Sequence, residues 1–274
     1  MIDMGRRMCT RLNNSKLAIV RGGGDLASGV INRLWLAHFD VLALETAFPL
    51  VVRRTVSVAQ AIFDGCCTVE GMRAQRIASV RDWDRSEVGV LVDPEGRSIP
   101  KLSPDLVIDA IMKKKHTGTS KEMAPLVIAL GPGFSAPDQV HGVIETQRGH
   151  YLGRLITNGR AASDTGVPGT INGFSTQRLL RATVDGSVMP VHSIGDRVVA
   201  GETVAEISGI PVHAQINGVL RGLIHPSVTV TRGMKIGDID PSGIHEHCFT
   251  ISDKALAVAG GVLEAVLRFG IIDN

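Results

Sequence analysis

The chain has 274 residues, 44% of them hydrophobic and 20% charged, and a formal net charge of +2. That is enough for a sizeable core and for more than one average domain. The balance gives no electrostatic case for nucleic acid or an anionic membrane, and 4% aromatic content argues further against base-stacking surfaces.

Residues 1–15 are basic without an apolar signal core and read as a flexible tail. No apolar run approaches the length of a membrane span. Cys9, Cys66, Cys67 and Cys248 contain no C-x-x-C pair, and two of them are adjacent. Reduced thiols in a cytoplasmic protein are the simpler reading.

Lys16 to Glu45 organises the rest of the chain. An apolar run is succeeded by RGGGDLASG, a helix-period segment and a second apolar run closed by Glu45. Gly22, Gly24 and Ala27 fit G-x-G-x-x-A, and Glu45 stands where an acid would meet a ribose hydroxyl. The pattern predicts a Rossmann-like βαβ unit. In it Gly22 turns sharply, Gly24 admits a pyrophosphate and Ala27 lets helix and strand pack. Gly23 and Leu26 complete the loop. Asp25 cuts against a diphosphate there, because its carboxylate would repel one.

The first helix is expected from about Asp25 to His38, with Leu26, Val30, Ile31 and Leu34 inward. Beyond Pro49, Arg53 and Arg54 stand together, as solvated surface arginines or as an anion clamp. A second short helix is expected to end at Gly65. Cys67 to Ala78 reads as a strand turning at Glu70–Gly71, followed by a run at Val88 to Val92. Leu106 to Ile111 and Leu126 to Leu130 are continuous β-branched runs suited to a parallel sheet covered on both faces. The first ends in Asp109 and then Lys113, the second in Gly131 and Gly133. In an open α/β sheet Gly22, Glu45, Asp109, Lys113 and Gly131 would all rim one crevice.

From His141 to Gly173 the chain is rich in glycine and polar groups. Glu145, Thr146, Arg148 and His150 cluster there, with His141 four residues before Glu145. A pocket loop, an acid–base pair and a metal site are all open readings. From Arg181 to Pro241 short valine-rich segments alternate with glycine turns, and a repeat shows. Val198-x-x-Gly201-x-x-Val204-x-x-Ile207 recurs as Val230-x-x-Gly233-x-x-Ile236-x-x-Ile239. This segment resembles biotinyl/lipoyl barrel-sandwich domains. The hairpin that carries a lysine in those domains here reads Ser208-Gly209-Ile210, so neither biotin nor lipoate is expected. His245-Glu246-His247-Cys248 offers zinc-type donors, but crowded, and a polar linker is the bland reading. A last helix is expected after Ser252 as N-cap, with Gly260-Gly261 allowing close approach.

The expected architecture is therefore α/β. A Rossmann-like parallel-sheet domain spans 16–180, a small all-β barrel-sandwich 181–243, and a C-terminal helix at 244–274 packs back on the first domain. The candidate ligand residues are Gly22, Gly23, Gly24, Asp25, Leu26, Ala27, Glu45, Arg53, Arg54, Asp109, Lys113, Gly131, Gly133, Glu145, Thr146 and His150. No catalytic residue and no metal site is assigned.

Four phrases carry a resemblance: VRGGGDLASGV, LETAFPLVVRRTVSVAQAI, GPGFSAPDQVHGVIETQRGHYLGR and CFTISDKALAVAGGVLEA. In this order the chain resembles the YqeB-type accessory proteins of selenium-dependent molybdenum hydroxylase systems. The resemblance implies a role in maturing such a hydroxylase, with the hydroxylase or its maturation factors as partners. It supplies no catalytic residues. Ile111-Met112 departs from the arginine expected after Asp109-Ala110. The ligand implied is nucleotide-like, either NAD(P) or the dinucleotide form of the molybdenum cofactor. An NAD-dependent oxidoreductase and a ligand-free scaffold are the competing readings.

Overall fold

The computed structural model describes residues 15–113, 115–166 and 169–271. The expected N-terminal tail, up to residue 14, lies outside them, and Cys9 with it.

One mixed sheet dominates the first part of the chain. Its strands are β1 (Leu17–Arg21), β2 (Asp40–Glu45), β3 (Cys66–Val69), β4 (Met72–Ile77), β5 (Val88–Val92), β6 (Leu106–Asp109), β7 (Leu126–Leu130), β8 (Gly142–Ile144) and β9 (Leu155–Ile156). Their order is β3-β4-β5-β2-β1-β6-β7-β8-β9. The seven inner strands run parallel, and β3 and β9 close the edges antiparallel. The apolar runs of β1, β6 and β7 are buried along their whole length, as strands covered on both faces must be. Glu70 and Gly71, both at positive φ, make the turn between β3 and β4.

Helix α1 (Asp25–Leu36) starts with Asp25 in its first turn, where the carboxylate complements the helix dipole. It stops short of His38, which adopts the left-handed conformation at φ +66°. Helices α2 (Ala61–Asp64) and α3 (Ile99–Leu102) are single turns. Helix α4 (Asp253–Arg268) is capped by the Ser252 hydroxyl, which accepts from the Ala255 N–H. It lies against α1 at very close range. A Cβ on Gly29 would stand 2.8 Å from that of Ala255, and Gly261 rests on the Gly153 carbonyl. Gly260, by contrast, faces open space. So Gly261 serves packing, whereas Gly260 meets nothing.

The remaining strands are β10 (Leu179–Arg181), β11 (Gly186–Pro190), β12 (Arg197–Val198), β13 (Thr203–Ile207), β14 (Ile210–His213), β15 (Gly218–Leu223), β16 (Thr229–Val230) and β17 (Lys235–Asp240). They form two antiparallel sheets, β10-β17-β15-β12 and β14-β13-β11-β16, around one shared apolar core. The repeat is visible in that core. Val198, Val204, Ile207, Val230, Ile236 and Ile239 are all buried in it. Gly201 and Gly233 make the equivalent turns at φ +89° and +85°.

The fold class expected from the sequence needs correction. The C-terminal helix is present and packs back on α1, but the molecule is not a Rossmann-like parallel sheet joined to a barrel-sandwich. It is a mixed α/β fold, with a nine-stranded mixed sheet, two antiparallel sheets and few helices. A doubly wound domain has helices on both faces of its sheet. Here α1 and α4 cover one face only. The other face is covered by side chains that come largely from connecting segments, among them Trp83, Ile99, Phe134, Val140 and Ala161. Only β1 and β2 are joined through a helix longer than one turn.

Candidate ligand-binding cleft

From the central β1 the sheet extends to β2 on one side and to β6 on the other. The ends of these strands leave a crevice at one sheet edge. Two cavities of about 480 and 660 Å³ open there. They share Asp25, Leu26, Arg53, Met112 and Lys235 as wall residues and so form one cleft.

The smaller, glycine end is walled by Gly22, Gly24, Ala27, Glu45, the 50–53 segment and Ala110 to Lys113. Its loop is tightly filled by protein. Gly22 has φ +105°, and a Cβ there would stand 2.8 Å from the Ala110 carbonyl oxygen. Gly23 backs onto Ala59 in the same way, at 3.0 Å from its nitrogen. Its N–H donates to Glu45 Oε1 at 2.7 Å, and Thr46 N–H donates to Oε2 at 2.8 Å. Glu45 therefore folds back to hold the loop rather than reaching for a ribose. Burial pushes its carboxyl pKa up, outweighing these two bonds, which favour the charged form.

The larger end lies between the sheet edge and the β-rich unit. Arg178, in the turn before β10, donates to Asp238 of β17 at 2.9 Å. Arg221 of β15 stands 3.7 Å from Asp240, which also faces His247. Burial alone would raise the Asp240 carboxyl. Two hydrogen bonds from Ser242 and the charges of Arg221 and His247 hold it below the usual range instead. Arg148 and Lys254 complete the cationic wall. Burial lowers the Lys254 ammonium, and neighbouring Arg148 adds to that shift against the opposing pull of Asp25.

The candidates from the sequence divide cleanly. Gly22, Gly24, Asp25, Leu26, Ala27, Glu45, Arg53, Lys113 and Thr146 line the cleft; the other seven do not. Arg53 and Arg54 do not make a paired clamp. Arg53 bonds Asp25 at 3.4 Å and the carbonyls of His247 and Thr250, while Arg54 Nε donates to the Leu223 carbonyl. They tie the sheet to the β-rich unit and to the segment before α4. Asp109 turns into a buried network with Thr117, Thr119 and Arg21. Gly131 and Gly133 are needed for close approach, to the Thr146 hydroxyl and to the Lys115 backbone. Glu145 accepts from Gln147 and Ala162 N–H groups, both at 2.7 Å, and so fixes the 162–166 wall. His150 is exposed beside Tyr151.

The alternative chemistries do not assemble. His141 and Glu145 flank strand β8, whose extended backbone holds them apart. Among the described residues, no group of three or more His, Cys, Asp or Glu could hold a metal. Burial pushes the Cys67 thiol up to about 11 and raises that of Cys248, which suppresses thiolate formation at these two positions.

The sequence reading missed Arg178, Arg221, Lys235 and Lys254. The one available signal was Asp238 and Asp240, two carboxylates at a period of two within the strand KIGDID, which opens with Lys235 itself. Buried acids in a strand require cationic partners.

The fold and the cleft define an α/β protein with a cationic cavity between a mixed sheet and a β-rich unit. No protein-family model matches the chain. It is 45% identical over 256 residues, 92% of its length, to "Uncharacterized protein YqeB" of Escherichia coli (strain K12). The chain is a homologue of YqeB and spans about half of that protein, 47% of its length. Among solved structures, it is similar to an aspartoacylase family protein of Mesorhizobium loti. That match has 14% identity, 82% of this chain, 85% of the other and a TM-score of 0.29. A succinylglutamatedesuccinylase/aspartoacylase of Rhodobacter sphaeroides matches at 13% identity, with 82% and 85% coverage and a TM-score of 0.26. Similarities of that size assign neither fold nor activity. Among the described residues, no helix is long and apolar enough to cross a membrane.

Proposed function

We propose that this protein is a cytoplasmic accessory protein that holds a nucleotide-like ligand during maturation of a selenium-dependent molybdenum hydroxylase. The single observation that carries the ligand part is the cleft, which joins an apolar, glycine-lined end to a cationic one. A base or pterin ring suits the first and an anionic tail suits the second. The hydroxylase context rests on the four phrases that resemble YqeB-type accessory proteins. NAD(P) and the dinucleotide form of the molybdenum cofactor remain the two ligand choices. The oxidoreductase reading is weaker, because Glu45 is already engaged by Gly23 and Thr46.

The test is retrieval of the tagged chain from a host making such a hydroxylase together with its maturation factors. The reading predicts that one of them co-purifies and that calorimetry detects NAD(P) or cofactor dinucleotide. No association in any cofactor state, with no nucleotide bound, overturns it.

A further inference from the structure

The two ends of the cleft differ in how they would receive phosphate. At the glycine end the Gly23 N–H is taken by Glu45, and the Asp25 and Glu45 carboxylates stand in the wall. A diphosphate there would meet the uncapped first turn of α1, but also two acids within the same wall.

The larger end is the reverse. Arg178 is almost fully buried, with its side chain 9% exposed, yet its Nε and Nη1 have no hydrogen-bond acceptor among the described residues. The same holds for Nε of Arg221 and of Arg53. Among the described residues Lys254 makes no hydrogen bond or ion pair through its side chain, although it is half-buried beside Arg148. Guanidinium N–H groups removed from water without acceptors are costly, and each such buried group calls for an explanation. The carboxylates of Asp238 and Asp240 engage part of this charge, and the orphaned nitrogens are themselves shielded by protein, so what these arginines bring to the cavity wall is uncompensated positive charge. The N-terminus of the 16-residue α4 adds its positive dipole end, with Ser252 and Lys254 in the wall.

We propose that this larger cavity is an oxyanion subsite, built for a phosphate or diphosphate group, with Arg178, Arg221 and Lys254 as its anchors. Arginine matches phosphate oxygens bidentately and lysine supplies a point charge, which suits a group with several charged oxygens. Lys235, shared by both cavities, stands where the phosphates join the rest of the ligand. The β-rich unit is then half of the ligand site, since it contributes both arginines. This deepens the functional reading and rests on it only in placing the ligand in the same cleft.

Titration calorimetry of the full chain with inorganic pyrophosphate tests the subsite directly, with NAD+ titrated in parallel. Wild type is expected to bind pyrophosphate. Lys254→Gln and Arg221→Gln are each expected to weaken it about tenfold, the loss of one charge-assisted hydrogen bond. Gly24→Ala serves as the opposing probe, because Gly24 has an ordinary φ and the added methyl would stand 3.6 Å from Val51. Arg221→Gln should weaken pyrophosphate more than Gly24→Ala does. Lys254→Gln removes no ion pair or side-chain hydrogen bond among the described residues, so it reports even if Arg221→Gln fails to fold. Absence of pyrophosphate binding by wild type overturns the subsite, as does a larger loss in Gly24→Ala than in Lys254→Gln. Pyrophosphate binding that depends on Lys254, with no nucleotide bound, keeps the subsite and removes the nucleotide reading. Nucleotide binding that is indifferent to both cationic variants does the opposite.

Discussion

The glycine end and the arginine end of the cleft lie side by side yet are built on different physics. The glycine end is local. Gly22, Gly23 and Glu45 fall within 24 residues of sequence, and their geometry is fixed by backbone contact. The arginine end is long-range. Arg178 and Asp238 are 60 residues apart, and sheet pairing alone brings them together. A site made of close backbone contacts should fail through strain, and a site made of buried charges should fail through unpaired charge. Single substitutions separate the two modes.

The largest effect is expected at the arginine end. Asp238→Ala leaves Arg178 buried without its counter-ion, which costs about 3–5 kcal/mol by analogy with other broken buried pairs. Urea unfolding of wild type and variant measures it. A loss below about 1 kcal/mol would mean that water reaches Arg178 and that the pair behaves as a surface contact.

Next is Gly22→Ala at the glycine end. The new methyl must occupy a left-handed position, 2.8 Å from a carbonyl oxygen. Strain and overpacking of this kind cost about 2–3 kcal/mol. The same unfolding measurement applies. The distinguishing control is salt, because a steric cost should not change between low and high ionic strength.

Glu45→Gln sharpens the comparison, since the Glu45 carboxylate holds the glycine loop through the Gly23 and Thr46 N–H groups. Replacing the acceptor of one buried and one half-buried N–H bond costs about 1–2 kcal/mol. The pH dependence is diagnostic. Burial raises the Glu45 pKa in the folded state above its ordinary value of 4.5. Its linked stability is therefore complete below about 4.5 and is lost as pH rises through the folded value. The Gln variant lacks that slope, so the wild-type advantage should shrink as the pH rises above the ordinary value of 4.5. An advantage that grows over this range would show that the two N–H bonds outweigh burial.

These two modes also explain what was legible in the sequence. The runs of β1, β5, β6 and β7 are continuous and apolar, and α4 carries both a cap and an apolar face, so each could be located from local pattern. The repeat around Gly201 and Gly233 was legible for the same reason. The fold class was not. G-x-G-x-x-A specifies a strand, a tight turn and a helix, but it says nothing of what covers the far face of the sheet. Trp83 and Phe134 do that work from connecting segments, where no periodicity announces them. Of the site, the local half was visible and the long-range half was hidden. Arg178 and Arg221 gain meaning only once β10 and β15 pair with β17 on either side.

The smallest effect is expected from Asp253→Asn, and it tests burial within the arginine end itself. Arg148 and Asp253 make a two-pronged ion pair at 2.8 and 3.1 Å, shorter than the Arg221–Asp240 approach, and it links the cavity wall to the first turn of α4. The Arg148 hydrogen bonds, against a smaller effect of burial, bring the Asp253 pKa down to about 2. The side chains are 39% and 71% exposed, so solvent screens most of that interaction. The cost should be about 0.5 kcal/mol, within the range for exposed pairs, despite the good geometry. A depressed carboxyl contributes stability that is present above its ordinary value of 3.8 and is lost as pH falls toward 2. The difference between wild type and variant should accordingly vanish across that window and also in about 1 M salt, where the Debye length falls to about 3 Å. The Asp238→Ala deficit should survive the same salt. If both deficits collapse together, burial is not what separates the two pairs, and the arginine end is wetter than its packing implies.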